Sequence, residues 1–279
     1  MKALTVIQKD LEFNSSLSSL IEVLKNIAVA QFRIMEKKLR TFELLFTTIE
    51  SFFELVDCTQ SSHPFVNSGT RPQAVVAVTS DSGLLGGLNM QVISGAISEL
   101  EKKPGKIIVV GERGKMYLQG TGIAYVGFGG IRDEERYNQA MQLRDYLIEK
   151  VGDGSFGAIK VVYPRPLSFT VQRVEMVDFL PFIPSESQRP LEGPAVILES
   201  ELGDMIEYLV HIWMGQRLYE IFGFSRMAEF AARFMHLEGS HQRLKEIDAK
   251  NRMEYFKVRH EIIDRNMREL FSARLLYAG

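Results

Sequence analysis

The densest run of residues with a chemical use is TSDSGLLGGLN, Thr79 to Asn89. It follows a β-branched stretch and opens a helical one. A glycine-rich turn in that position offers backbone amides and a helix N-terminus to an anion, which is the chemistry of phosphate binding. The spacing argues against that use: Gly83, Gly86 and Gly87 do not form G-x-G-x-x-G, and no G-x-x-x-x-G-K-[ST] occurs in the chain. The run therefore reads as a tight turn that packs a helix onto a sheet. His236 and His241 are five apart, off the i, i+4 spacing that places two ligands on one helical face, and His63, His211 and His260 are scattered. The single cysteine, Cys58, allows no intrachain disulfide and fits a reducing compartment. These patterns predict no catalytic residue, no metal and no cofactor. From Arg243 to Gly279 nine Lys and Arg stand against six acidic residues, which by default is a solvated helix face.

The elements that must position these residues follow from Gly and Pro. Residues 1–63 contain neither, residues 64–194 contain both often, and no Pro follows Pro194. Long helices need such Pro-free stretches. In the first segment, steps of three and four run through Leu4, Ile7, Leu11, Asn14, Ser18, Ile21, Lys25, Ala28, Phe32, Met35, Leu39, Phe42, Phe46, Ile49, Phe53 and Val56, of which thirteen of sixteen are apolar. This predicts a coiled-coil seam along a rod of roughly 80 Å, wetter between Asn14 and Lys25. The last segment, from about Leu198 to Leu276, also reads as helix, with breaks or kinks expected at Gly215, Gly223 and Gly239. Two such ends of one chain close a coiled coil only by running antiparallel.

The middle alternates short β-branched runs, 74–80, 106–111, 123–128 and 158–164, with helical stretches at 89–102 and 133–151. That pattern predicts a mostly parallel sheet covered by helices, with 168–179 as an antiparallel edge strand. The fold expected is therefore α/β: a long antiparallel coiled coil (1–63 and 195–279) with a Rossmann-like α/β domain (64–194) inserted. A formal charge of −2 gives no pull toward nucleic acid or anionic lipid. No stretch approaches the ~18 apolar residues of a membrane helix, and the charged start MKALTVIQKDLEFN is not that of a signal peptide.

As a string, Thr79 to Asn89 resembles the signature of the γ subunit of F-type ATP synthases, T-S-D-R-G-L-C-G-G-L-N, departing only at Ser82 and Leu85. The resemblance continues in order through the chain. GERGKMY (111–117) looks like the family's glycine-lysine strand end, and YPRPLSFTVQRVEMVDFLP (163–181) follows the family without a gap. LYEIFGFSRMAEFAARFMHLEG (218–239) is similar to its L-Y…S-E-H-A-A-R-M-x-A-M stretch, and LIEVLKNIAVAQ (20–31) to I-T-K-A-M-x-M-V-A-A-S. Departures lie at Gln8, Asp10, Glu12, Ser18 and Ser19, where the family is basic. In RHEIIDRNMRELFSA (259–273), His260, Asp264 and Asn266 replace Gln, Thr and Glu.

The resemblance implies a non-catalytic central-stalk subunit, a rotor shaft that couples ion flow through a membrane ring to conformational change in catalytic β subunits. Its implied partners are α and β subunits, an ε subunit and the membrane c-ring. Its implied place is the cytoplasmic face of the inner (plasma) membrane, held through the complex. It implies that Leu24, Lys25 and Ile27 lie on the N-terminal shaft motif, and that Glu229 and Arg233 face the shaft partner or the ring. Arg259, His260, Asp264 and Glu269 would lie toward the tip, and Asp81, Gly83, Gly86 and Gly87 are read as architecture of the foot domain. The alternative from another class is a Rossmann-type nucleotide-binding enzyme or sensor with helical oligomerisation arms, which needs a ligand site at the strand ends.

Overall fold

A computed structural model describes residues 4–39, 42–55, 63–67, 69–182 and 200–277. Eleven elements follow in order among them: α1 (Leu4–Lys38), α2 (Glu43–Leu55), β1 (Gln73–Val78), α3 (Leu88–Lys102), β2 (Gly105–Val110), α4 (Glu112–Gln119), β3 (Tyr125–Phe128), α5 (Arg136–Gly152), β4 (Ala158–Pro166), β5 (Gln172–Leu180) and α6 (Leu202–Tyr277). The chain divides into two compact units, one of residues 1–29 and 234–279, the other of residues 30–233.

In the larger unit a five-stranded sheet has the order β3-β2-β1-β4-β5. The first three contacts are parallel, and β5 runs antiparallel to β4 as the edge strand. β1 is buried on both faces, as parallel strands are when helices cover them. Its alternate residues part company. Ala74, Val76 and Val78 join α5 and residues 206–222 of α6 in the largest core, whereas Val75 and Ala77 meet Val92, Ile93 and Ala96 of α3 and Leu118 of α4. Trp213 of α6 sits edge-on among Phe46, Phe179 and Phe182, with ring centroids 5.1 to 6.4 Å apart.

In the smaller unit, residues 4–29 of α1 pair with residues 234–258 of α6. Ile21 packs with Leu237 and Leu244, with Leu17 and Leu24 against them. Lys25 pairs with Glu238 and Ser18 with His241, so numbers fall on one helix as they rise on the other. The pairing is antiparallel. Every seam position from Leu4 to Leu39 is buried or half-buried.

Three expectations need correction. The first helix does not run on to Val56: α1 ends at Lys38, Phe46 and Ile49 of α2 belong to the sheet core, and Phe42, just before α2, packs against it. Phe53 has no described side chain, and Val56 and Cys58 lie outside the described residues. Gly215, Gly223 and Gly239 do not break α6, which is one helix of 76 residues. A Cβ at Gly215 would stand 2.9 Å from Met141, and one at Gly223 would collide with Leu39, so both glycines let neighbouring side chains cross close to α6. GERGKMY is not a strand end: β2 stops at Val110, and α4 begins after Gly111.

Candidate functional site

The loop after β1 is organised by its own polar side chains. Thr79 Oγ1 donates to Val110 O (2.6 Å) and accepts from Gly114 N–H (3.0 Å). Asn89 accepts from Ser80 N–H at 3.1 Å and donates to Ser80 Oγ at 2.8 Å. Asp81 accepts the Glu112 amide at 2.9 Å, and the Arg113 amide donates to Ser80 O at 3.0 Å. The first amides of α4, which a phosphate would otherwise meet, are thus capped by the chain itself. Gly83 sits against the Arg113 guanidinium, to which a Cβ would come within 3.0 Å. Gly86 and Gly87 hold φ of 63° and 106°, the left-handed region where a side chain is strained.

α6 docks on this loop. Leu85 and Leu88 bury against Ala228 and Ala232. Beside them Ser82 Oγ donates to Glu229 at 2.7 Å and accepts from Arg233 at 2.5 Å. Glu229, 4% exposed, also takes Arg226 at 2.5 Å and Arg233 at 2.6 Å. Arg226 reaches on to Asp133 at 2.8 Å. Burial pulls the Arg226 guanidinium pKa down, but the hydrogen bond to Asp133 and the charge of Glu229 outweigh it and hold it above its ordinary value. Where the γ signature has arginine at position 82, α6 supplies the positive charge from its own side.

The crevice beyond the carboxyl end of β1, where open α/β sheets take their ligands, is closed by this joint. It measures about 100 Å³, with Thr79, Ser80 and Asp81 on one wall and Ser225, Arg226 and Glu229 on the other. Small-molecule pockets span roughly 300–1,000 Å³, so a nucleotide does not fit there.

In the smaller unit the three polar interruptions of the α1 seam meet α6 in different ways. Lys25 pairs with Glu238 and lies 5.6 Å from the Phe234 ring centroid. The hydrogen bond from Lys25 holds the Glu238 carboxyl below its usual range, so this contribution to pairing is present above that range and is lost as pH falls through the lowered value. Ser18 Oγ lies 3.0 Å from His241 Nε2. Asn14 is buried, and its side-chain nitrogen has no partner among the described residues.

Of the residues singled out from sequence, Leu24 and Lys25 line the seam, and Ile27 faces away from it, 47% exposed. Glu229 and Arg233 are engaged by Ser82 in the larger unit, and Arg259, His260, Asp264 and Glu269 are exposed on α6. Sequence reasoning passed over Ser82, Arg226 and Asp133, which complete the Glu229 cluster, and gave His241 no role. The same three-and-four stepping applied to α6, through Leu237, His241, Leu244, Asp248, Asn251, Tyr255 and Val258, recovers its buried or half-buried face.

Among the described residues no helix is long and apolar enough to cross a membrane. The family model described as ATP synthase matches residues 3–274. An ATP synthase gamma chain of Clostridium beijerinckii is 26% identical over 209 residues, 74% of this chain and 72% of the relative. One from Pelotomaculum thermopropionicum is 26% identical over 186 residues, 64% of each. Among solved structures, a chain of the Euglena gracilis mitochondrial ATP synthase (OSCP/F1/c-ring, rotational state 3) superposes with a TM-score of 0.70 at 17% identity, covering 97% of this chain and 93% of that one. A chain of the rotor of the same enzyme in rotational state 1 gives 0.66 at 17%, covering 93% and 98%. With nearly its whole length inside the family model and gamma chains among its relatives, this chain belongs to the ATP synthase family.

Proposed function

We propose that the chain is the central-stalk, rotor-shaft subunit of an F-type rotary ATP synthase. In this role it couples ion translocation through a membrane ring to conformational change in catalytic β subunits. The observation that carries the proposal is the antiparallel winding of α1 on α6 in the smaller unit. A shaft acts only through contacts that differ between the conformations of the subunits around it, because a ligand with equal affinity for two states shifts neither. Exposed Ile27, Arg259, His260, Asp264 and Glu269 are the side chains available for such contacts with α and β subunits. Leu24 and Lys25 keep the two helices in register, while Glu229 and Arg233 tie α6 to the loop after β1. The sheet domain is the foot in this reading, meeting the ε subunit and the c-ring, and the chain sits at the cytoplasmic face of the inner (plasma) membrane as a peripheral component. Against the nucleotide-enzyme alternative stands the 100 Å³ crevice filled by the chain's own side chains.

The test is co-expression with ATPase α and β subunits in a host lacking its own γ subunit. Co-purification of the three, with ATP-driven ion pumping by membranes containing them, is expected. Purification of the chain free of both subunits would refute the assignment.

A further inference from the structure

The larger unit buries a cation that has no counter-ion among the described residues. Arg136, the first residue of α5, is 4% exposed. Its hydrogen bonds go to neutral groups: Nη1 to the Met35 sulfur at 2.7 Å and Nη2 to the Tyr219 hydroxyl at 2.8 Å. The guanidinium carbon lies 4.4 Å from the centroid of the Tyr219 ring, and Nε has no acceptor among the described residues. Among the described residues Arg136 has no carboxylate partner. An arginine does not escape burial by losing its proton, and a buried charge without a counter-ion is costly. Room for it is nevertheless built, because a Cβ at Gly223 would fall 3.2 Å from Nη1.

Arg136 forms part of the wall of an open cleft of about 540 Å³. Lys37 and Lys38, exposed in the last turn of α1, line it too, as do the rings of Phe42, Tyr137 and Tyr219. The carboxylate on its wall, Asp133, already holds Arg226 at 2.8 and 3.3 Å. The first turn of α5 has no acidic residue, and its N-cap, Glu135, makes no side-chain cap. Glu134 and Glu135, just before α5, are exposed, do not line the cleft, and Glu135 pairs with Arg132 at 2.6 Å, so the charge the cleft presents is that of Lys37, Lys38 and Arg136. A doubly charged oxyanion answers this field better than a single carboxylate does, and the volume lies within the range of small organic ligands.

We infer that this cleft binds a phosphate group, either inorganic phosphate or the phosphate of a nucleotide whose ring lies along the aromatic wall. The test uses the full chain in low-salt buffer, titrated calorimetrically with inorganic phosphate and separately with AMP and ATP. Saturable binding is expected, weakened at least tenfold by Arg136→Met and several-fold by the pair Lys37→Gln/Lys38→Gln. Tighter binding of the nucleotides would assign the site to an organic phosphate, and equal or weaker binding to the inorganic ion. No saturable binding of either kind overturns the inference, as does binding that the lysine pair leaves unchanged. So does an oligoglutamate peptide binding where phosphate compounds do not, since the cleft would then serve an acidic polypeptide. Both lysines are exposed, so their variant decides the matter even if Arg136→Met does not fold. The inference does not rest on the rotor assignment, and its failure would leave the co-purification test unaffected.

Discussion

At the scale of single residues, the γ signature is a docking device. The segment Thr79 to Asn89 shapes the turn, and Ser82, one of the two positions where this chain departs from the signature, grips Glu229 and Arg233, 147 and 151 residues away. Glu229 is the hub, a buried carboxylate shared by two guanidiniums that are themselves less than a fifth exposed. Removing the one anion leaves both cations short of a partner, which typically costs 3–5 kcal/mol. Glu229→Gln is expected at the lower end, about 3 kcal/mol, because Arg226 keeps Asp133. Urea unfolding of the full chain measures this, and a loss under about 1 kcal/mol, the worth of an ordinary surface pair, would show the cluster to be incidental. Glu229 and Arg233 were visible in the sequence through the resemblance. Their partner was not, because no periodicity links a loop serine to a helix so far along the chain.

At the scale of elements, the seam of α1 was legible because one helix packing on one other imposes a single repeat. The end of that helix was not. Apolar stepping continues through Phe42, Phe46 and Ile49, yet these side chains pack in the sheet core with Trp213 rather than in the seam. A periodicity reports that a face is buried, not what buries it. α4 was missed for a different reason: it has only eight residues, and Gly114 interrupts its pattern. Gly114 is there because a Cβ would come within 2.5 Å of Thr79 and Val109. The polar part of the seam divides unevenly, since Ser18 and Lys25 have partners on α6 and Asn14 has none among the described residues for its amide nitrogen. An unsatisfied buried donor costs about 1–3 kcal/mol, and a lone polar seam residue usually trades stability for register. Asn14→Leu is therefore expected to stabilise the chain by about 1 kcal/mol, seen as a higher urea midpoint with an unchanged slope. A lower midpoint would mean that the asparagine supports the pairing by a contact the static geometry does not contain.

At the scale of the whole molecule, the burial of α6 changes character along its length. Residues 206–232 supply side chains to the cores of the larger unit, residues 237–258 bury one seam, and residues 262–274 bury nothing. The exposed stretch is not polar: Ile262, Ile263, Met267, Leu270 and Phe271 are each at least 39% exposed. Most helical stability in proteins comes from packing an apolar face, and an unpacked helix of a dozen residues is marginal in water. Local opening free energies should therefore fall along α6 from the sheet core toward the C-terminus. Hydrogen exchange of the isolated chain is expected to be slowest in β1 and in residues 206–232, intermediate in residues 237–258, and near the unprotected rate in residues 262–274. In the complex with α and β subunits the last stretch should become protected by orders of magnitude, because the apolar side chains at Ile263, Met267 and Leu270 would then have a surface to bury against. Protection of that stretch already present in the isolated chain, and unchanged on assembly, would place its stability in the helix itself and remove the reason for reading those side chains as contacts for a surrounding ring.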